Sequence, residues 1–263
     1  MGKKLPEIDE AIAYIHRHMD EPIQLASWSR HVGYSPYHFI RLFKTQTGLS
    51  PHYYLSSIRL QRAKDLLIRT SLPVRDIAMQ VGQQSLGSFT TRFAEKIGVT
   101  PAIFREQQNH VGSHLESLMD LSERGVAERM GTGGAEVGGT VRSEIPFQGA
   151  VFIGLFEKPI PENVPLHGTI LLSLGGFQFS NVKPGTYYLM ATSVSWGMSS
   201  HDILLPHATL RTRNHEPIIV ESDEDSHRKQ VTLHPPHPDD PPILVSLPLL
   251  MSRFLARTSS FLL

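Results

Sequence analysis

The chain has 263 residues, with 25 Lys+Arg against 25 Asp+Glu, 14 His and no Cys. A hydrophobic content of 40% suffices for one large or two small domains, and 12 Phe with 7 Tyr at only 19% charge excludes wholesale disorder. The absence of cysteine excludes a disulfide framework, a thiolate zinc site, an iron–sulfur cluster and a cysteine nucleophile, and fits a reducing compartment.

The N-terminal stretch MGKKLPEIDEAIAYIHRHMDE scatters charge among its apolar positions and reads as neither a signal peptide nor a membrane span, so a cytoplasmic location is expected. Ile8, Ile12 and Ile15 recur at helical spacing up to Pro22, and Leu25, Trp28 and Val32 repeat it up to Gly33. Further stripes follow at Phe39, Leu42 and Phe43; at Leu55, Ile58, Ala63, Leu66 and Leu67; at Val74, Ile77, Ala78 and Val81; and at Phe89, Phe93 and Ile97. These predict about seven short helices, an all-α bundle over 5–108.

Residues 109–144 read as a linker: HLESLMDLSER adds one helical segment, and 131–140 carry five glycines in ten residues. Beyond it the apolar runs are short and β-branched or aromatic: Ala150–Phe156, Thr169–Leu174, Tyr187–Val194, Ile218–Val220, Gln230–Leu233 and Ile243–Leu247. They predict an all-β sandwich over 145–263, with a strand, a Pro-Gly turn and a strand between Phe179 and Ala191. The tail LPLLMSRFLARTSSFLL fits an amphipathic helix or a dimer contact. Residues 1–110 hold 14 Lys+Arg against 9 Asp+Glu, net +5; residues 111–263 hold 11 against 16, net −5.

The first half contains a repeat. Val32–Pro51 aligns with Val81–Pro101: Val32-Gly33 matches Val81-Gly82 at an offset of 49, and Phe39, Phe43, Gly48 and Pro51 match Phe89, Phe93, Gly98 and Pro101 at 50. Each copy has an apolar helix, a glycine turn, an N-cap serine (Ser35, Ser85) and a second helix, which is a helix-turn-helix written twice. With Phe39, Leu42 and Phe43 turned to the core, Tyr37, Ile40, Arg41 and Lys44 face outward, as a recognition helix presents its residues to a major groove.

These residues carry a resemblance. SPYHFIRLFKTQTGLSP and DIAMQVGQQSLGSFTTRFAEKIGVTPAIFR resemble the DNA-binding domain of the AraC/XylS family of bacterial transcription regulators, over roughly residues 5–107. The resemblance implies a rigid joining helix at about His52–Arg69 and DNA contacts at Tyr37, His38, Ile40 and Arg41, with Lys44 and Thr45 on phosphate. In the second unit it points to Leu86, Gly87, Thr90, Thr91 and Arg92. There Ala94 and Glu95 replace Lys44 and Thr45, so weaker binding through methyl groups and shape is expected from this unit.

In the second half, the stretch from about Gly168 to Ala191 resembles a turn-and-strand motif of transthyretin-like and carboxypeptidase-regulatory-like β-sandwiches. Many relatives of AraC/XylS type attach a sensing domain, which here implies a ligand-sensing or protein-contact module. Tyr187, Tyr188 and Trp196 are pocket candidates, with sandwich core the blander reading; His234–Pro242 reads as an exposed proline-rich turn rather than a metal site. The expected function is a bacterial sequence-specific DNA-binding transcription regulator; the resemblance implies an activator that contacts RNA polymerase, with repression the other mode, double-stranded DNA as partner, an unidentified effector, no cofactor and no metal. The alternative is a β-sandwich enzyme, a metal-dependent hydrolase or dioxygenase, with a DNA-binding appendage; no HExxH, GxSxG or phosphate-binding glycine loop supports it.

Overall fold

Capping residues divide the first half into helices. The computed structural model describes residues 5–83, 85–125, 133–212, 216–238 and 240–259. It begins with α1 (Pro6–His18), α2 (Leu25–His31), α3 (Pro36–Thr47), α4 (Pro51–Arg69), α5 (Val74–Gln80), α6 (Leu86–Ile97) and α7 (Pro101–Glu106). A 3-10 turn at Gln107–Asn109 then leads into α8 (Val111–Glu123). Ser35 and Ser85 accept the backbone N–H of His38 and Ser88 at the starts of α3 and α6, both at 3.4 Å. Ser50 and Thr100 do the same for α4 and α7, with Pro51 and Pro101 following where a missing N–H costs nothing. Gly33 and Gly82 turn each first helix into the second at φ of 75° and 71°, a conformation that a side chain resists.

The second half supplies β1 (Glu136–Ser143), β2 (Gly149–Phe156), β3 (His167–Leu171), β4 (Gly176–Phe179) and β5 (Gly185–Ser195). After these come α9 (Ser200–Leu204), β6 (Ile218–Val220), β7 (Ser226–Leu233) and α10 (Leu247–Ser259). The strands form a three-stranded sheet in the order β4-β1-β7 and a four-stranded sheet in the order β3-β2-β5-β6. The first mixes an antiparallel and a parallel pairing, and the second is antiparallel throughout. Val137, Phe177 and Val231 of one sheet share an apolar cluster with Ile153, Leu189 and Ile218 of the other.

Three expectations need correction. The described parts of 109–144 are structured elements: α8 buries Val111, Leu115, Leu118 and Leu121 at helical spacing, and β1 begins inside the glycine-rich stretch at Glu136, while 126–132 lie outside the described residues. The second half is not wholly β, because α9 and α10 belong to it. Ile243–Leu247 is not a strand; flanked by Pro241, Pro242 and Pro248, residues 243–246 form a buried irregular segment that leads into α10 at Leu247, and the N–H groups of Leu244 and Val245 both donate to the Pro161 carbonyl.

The halves share one core. Alternate residues of β2 face opposite ways, so Ala150 and Phe152 join a cluster with Phe104, Val111 and Leu118, together with Ile203, Leu244, Met251 and Phe254 from the second half. Polar bonds reinforce it along α4. His207 bridges Gln61 and Asp65, at 2.8 and 2.7 Å. Lys64, fully buried over the Phe104 ring, donates its Nζ to the carbonyls of Ile243 and Leu244 at 2.9 and 3.3 Å.

Two outcomes follow from this shared core. Leu118→Ala should cost ~2–5 kcal/mol, and Trp28 and Trp196, followed in single-tryptophan variants during denaturation, should report one common transition rather than two. Burial pushes the Lys64 ammonium down to about 7, with the Asp65 charge opposing it. Its folded value therefore lies below its unfolded one, and the unfolded chain binds the extra proton between about pH 7 and 10.5. Stability should rise with pH across that window, by at most ~1.4 kcal/mol per pH unit, and Lys64→Met should abolish that part of the slope in denaturant midpoints.

Candidate nucleic-acid interface

The helix-turn-helix geometry begins with four phenylalanines. Phe39 and Phe43 of α3, and Phe89 and Phe93 of α6, have no exposed surface. Trp28 of α2 packs edge-on against Phe39 and Phe43 and donates its indole N–H to the Ala11 carbonyl at 3.0 Å. With one face of each helix fixed in this way, the opposite faces stand in solvent. Tyr37 is 82% exposed, and Ile40, Arg41, Lys44 and Thr45 are exposed around it. On α6, Leu86, Gly87, Thr91 and Arg92 are exposed, as are Ser88 and Glu95, with Thr90 half-buried.

Several of these side chains are held in place. The Arg41 Nη2 lies 3.4 Å from the His38 Nδ1, and the half-buried His38 ring packs edge-on against Tyr34. Thr45 donates its hydroxyl to the Arg41 carbonyl at 2.9 Å, which leaves its oxygen an acceptor and removes the donor that a phosphate would use. Arg92 is tethered across the turn, its Nη1 donating to Gln83 Oε1 at 3.2 Å. Among the described residues, a Cβ on Gly87 would meet only the Ser85 hydroxyl, at 3.9 Å, so none of them requires glycine at this exposed position. Tyr187, by contrast, is core: its hydroxyl donates to the Lys183 carbonyl, and its ring lies in the cluster between the sheets.

The two recognition-type helices are anchored differently. The carboxyl end of α6 is capped from the second half: the Lys96 carbonyl accepts from the Asn163 N–H at 2.6 Å and the Ile97 carbonyl from the Ser246 N–H at 2.9 Å. Beside it Tyr53 donates its hydroxyl to both Glu162 carboxylate oxygens at 2.5 Å. Lys96 and Lys158 each reach the Tyr53 hydroxyl and Glu162 Oε1, and both ammonium groups lie over the Tyr53 ring. Burial alone would lower the Lys158 pKa, but the Tyr53 hydroxyl and the Glu162 charge outweigh it and hold it above the usual lysine range. These four residues escaped the sequence reading because 43 to 109 positions separate Tyr53 from the others.

Comparison with known proteins fits this geometry. Residues 28–107 match a family described as a helix-turn-helix domain. The HTH-type transcriptional regulator YobQ of Bacillus subtilis is 34% identical over 95 residues, 36% of this chain and 39% of that one. The right origin-binding protein of Escherichia coli is 33% identical over 116 residues, 44% of this chain and 40% of that one. A solved AraC-type transcriptional regulator from Chromobacterium violaceum is 30% identical, with a TM-score of 0.38, over 39% of this chain and 91% of that one. The fold and the match define a helix-turn-helix DNA-binding domain in the helical half. The relatives matched there are named as an HTH-type transcriptional regulator and an origin-binding protein. The match spans 39% and 40% of the length of these two curated relatives, so the likeness concerns this domain.

Glu162→Ala removes the carboxylate that Lys96, Lys158 and Tyr53 share. It should cost ~1–3 kcal/mol, seen as a lower thermal midpoint, and should speed amide hydrogen exchange in the last turn of α6.

Proposed function

We propose that the protein is a bacterial transcription regulator that binds DNA sequence-specifically by seating α3 and α6 in successive major grooves. The observation that carries this reading is the pair of helix-turn-helix units mounted on one buried helix, each with its phenylalanine face inward and its polar face out. The 19 residues of α4 span ~28 Å, commensurate with the ~34 Å between successive groove faces; modest DNA bending accommodates the difference.

In this reading Tyr37, His38, Ile40 and Arg41 meet base edges, with Arg41 suited to bidentate contact with a guanine. Lys44 contacts phosphate and sets register, with Thr45 beside it on the same backbone-facing edge, where its hydroxyl must leave the Arg41 carbonyl to donate to phosphate. Leu86, Gly87, Thr90, Thr91 and Arg92 form the second, weaker reading head, where Gly87 lets the DNA approach closely. The protein acts in the cytoplasm on the nucleoid, as an activator that contacts RNA polymerase. Its second half is a β-sandwich module with a sensing or interaction role; the two stacked sheets and the transthyretin-like stretch near Gly168–Ala191 support that assignment. The regulators matched over the helical half favour this reading over an enzymatic one.

Binding-site selection from random DNA with the full chain tests it. A single operator motif is expected. Arg41→Ala should weaken operator binding by ~1–3 kcal/mol and relax one base position, whereas Lys44→Ala should weaken all sequences alike and reduce the salt slope by about one. Failure to enrich any motif, or an unchanged motif and affinity for Arg41→Ala, would overturn the assignment.

A further inference from the structure

In the first helix-turn-helix unit a chain of contacts runs from the turn to the outward face of α3. Gly33 turns the backbone at φ of 75°, and the Tyr34 N–H donates to the Ser29 carbonyl at 2.9 Å, which fixes Tyr34 against the end of α2. The Tyr34 ring meets the His38 ring edge-on, with centroids 5.0 Å apart. One turn further along α3, the Arg41 Nη2 lies 3.4 Å from the His38 Nδ1. A guanidinium can only donate, so this nitrogen accepts, and in a neutral ring the proton then sits on Nε2. His38 is half-buried and Arg41 exposed, so the contact joins a held ring to a long side chain in solvent. Among the described residues, the titratable or charged groups against the ring are Tyr34 from the turn and Arg41 from its own helix. The second unit has no such pair: Ser88 and Thr91 stand at the matching positions of α6.

We propose that His38 is the positioning residue for Arg41, and that its protonation releases the guanidinium and relaxes base selectivity in one half of the operator. The effect on DNA rests on the regulator reading above; the pairing itself does not. An arginine side chain has many rotamers, and a contact that aims it before the duplex arrives lowers the cost of ordering it there. With a neutral ring the pair offers the groove donors alone: the remaining guanidinium N–H groups, and the Nε2–H, which has no partner among the described residues. That edge suits guanine, with its O6 and N7 acceptors, and rejects cytosine, whose N4 amino group donates. Proton uptake reverses the contact. Nδ1 then carries a proton toward a group that cannot accept one, and two positive charges face each other. Histidine changes its charge between about pH 5 and about pH 8, which sets the window of the response. Lys44, on phosphate, stands outside the pair, so total affinity and base selectivity respond separately.

The test compares the affinity of the full chain for its selected operator with that for the operator in which the guanine facing Arg41 is replaced, at about pH 8 and about pH 5. The ratio of the two cancels the general charge that other histidines add. It should fall about fivefold on acidification, the worth of one hydrogen bond, while base changes in the half-site under α6 keep their ratio. His38→Ala should show the lower ratio at both pH values. His38→Asn, whose Oδ1 takes the place of Nδ1 and does not titrate, should hold the higher ratio at both, even where the lost Nε2–H lowers absolute affinity. Thermal unfolding at each pH checks that the variants remain folded. A ratio that ignores pH in the native chain, or that changes equally in His38→Asn, would overturn the role given to His38. Imidazole nitrogen NMR of the DNA-free full chain tests the pairing by itself. The Nε2–H tautomer should predominate more strongly in the native chain than in Arg41→Ala, and equal tautomer populations in the two would overturn the pairing. A chain that shows the tautomer difference but enriches no DNA motif would refute the regulator reading, and with it the effect on DNA, and leave the pairing standing. A selected operator together with equal tautomer populations would refute the pairing alone.

Discussion

Along β2, Val151, Ile153 and Leu155 face the second sheet while Ala150 and Phe152 enter the core built with the helices, so one strand is committed to two apolar interiors. Every residue of that strand is buried as a result. A half-buried sheet would have left its outer face to water, and the helices would then have needed another surface for Phe104, Val111 and Leu118. Instead the four-stranded sheet is the middle layer of three, with the other sheet on one side and α8, α9 and α10 on the other. The burial of Lys64 belongs to the same constraint. An ammonium enters that interior only because the irregular segment before α10 offers two unpaired carbonyls there.

This layering also decides how the two helix-turn-helix units are held. The joining helix α4 meets the second half through Tyr53, Gln61, Lys64 and Asp65, residues at helical spacing along one of its sides. The contact between the halves is mainly apolar, with a few placed ion pairs, so the +5 and −5 formal charges do not meet as two opposed surfaces. α3 keeps Arg41 and Lys44 exposed.

Much of the helical half was legible in the sequence because its signals are local. Apolar stripes at 3.6 spacing, serine or threonine caps, Pro at the first helical position and glycine after the last all act within a few residues. The signals for the second half are longer in range. β1 was hidden by its glycines, which look like a linker but serve close packing in the middle of a sheet. A Cβ at Gly139 would overlap the Lys229 carbonyl, and one at Gly138 would crowd the Phe177 carbonyl. Ile243–Leu247 had the composition of a strand, yet its prolines deny it a ladder, and its backbone partners, Pro161 and Lys64, come from distant parts of the chain. The outward face of α3 could be read from the phenylalanine spacing. The capping of α6 by Asn163 and Ser246 could not, because backbone groups leave no compositional trace.

That unequal anchoring has a consequence for a two-headed reader. When two contacts on one rigid frame engage the same duplex, the second event is governed by effective concentration, which depends steeply on where the second head is held. α3 is mounted on the helical half, whereas the end of α6 is also fixed by backbone bonds from the sheet half. A shift too small to alter any individual base contact can therefore grade the occupancy of the whole site. Under the proposed reading of one duplex by both helices, α3 chooses the address and α6 sets how long the protein stays there.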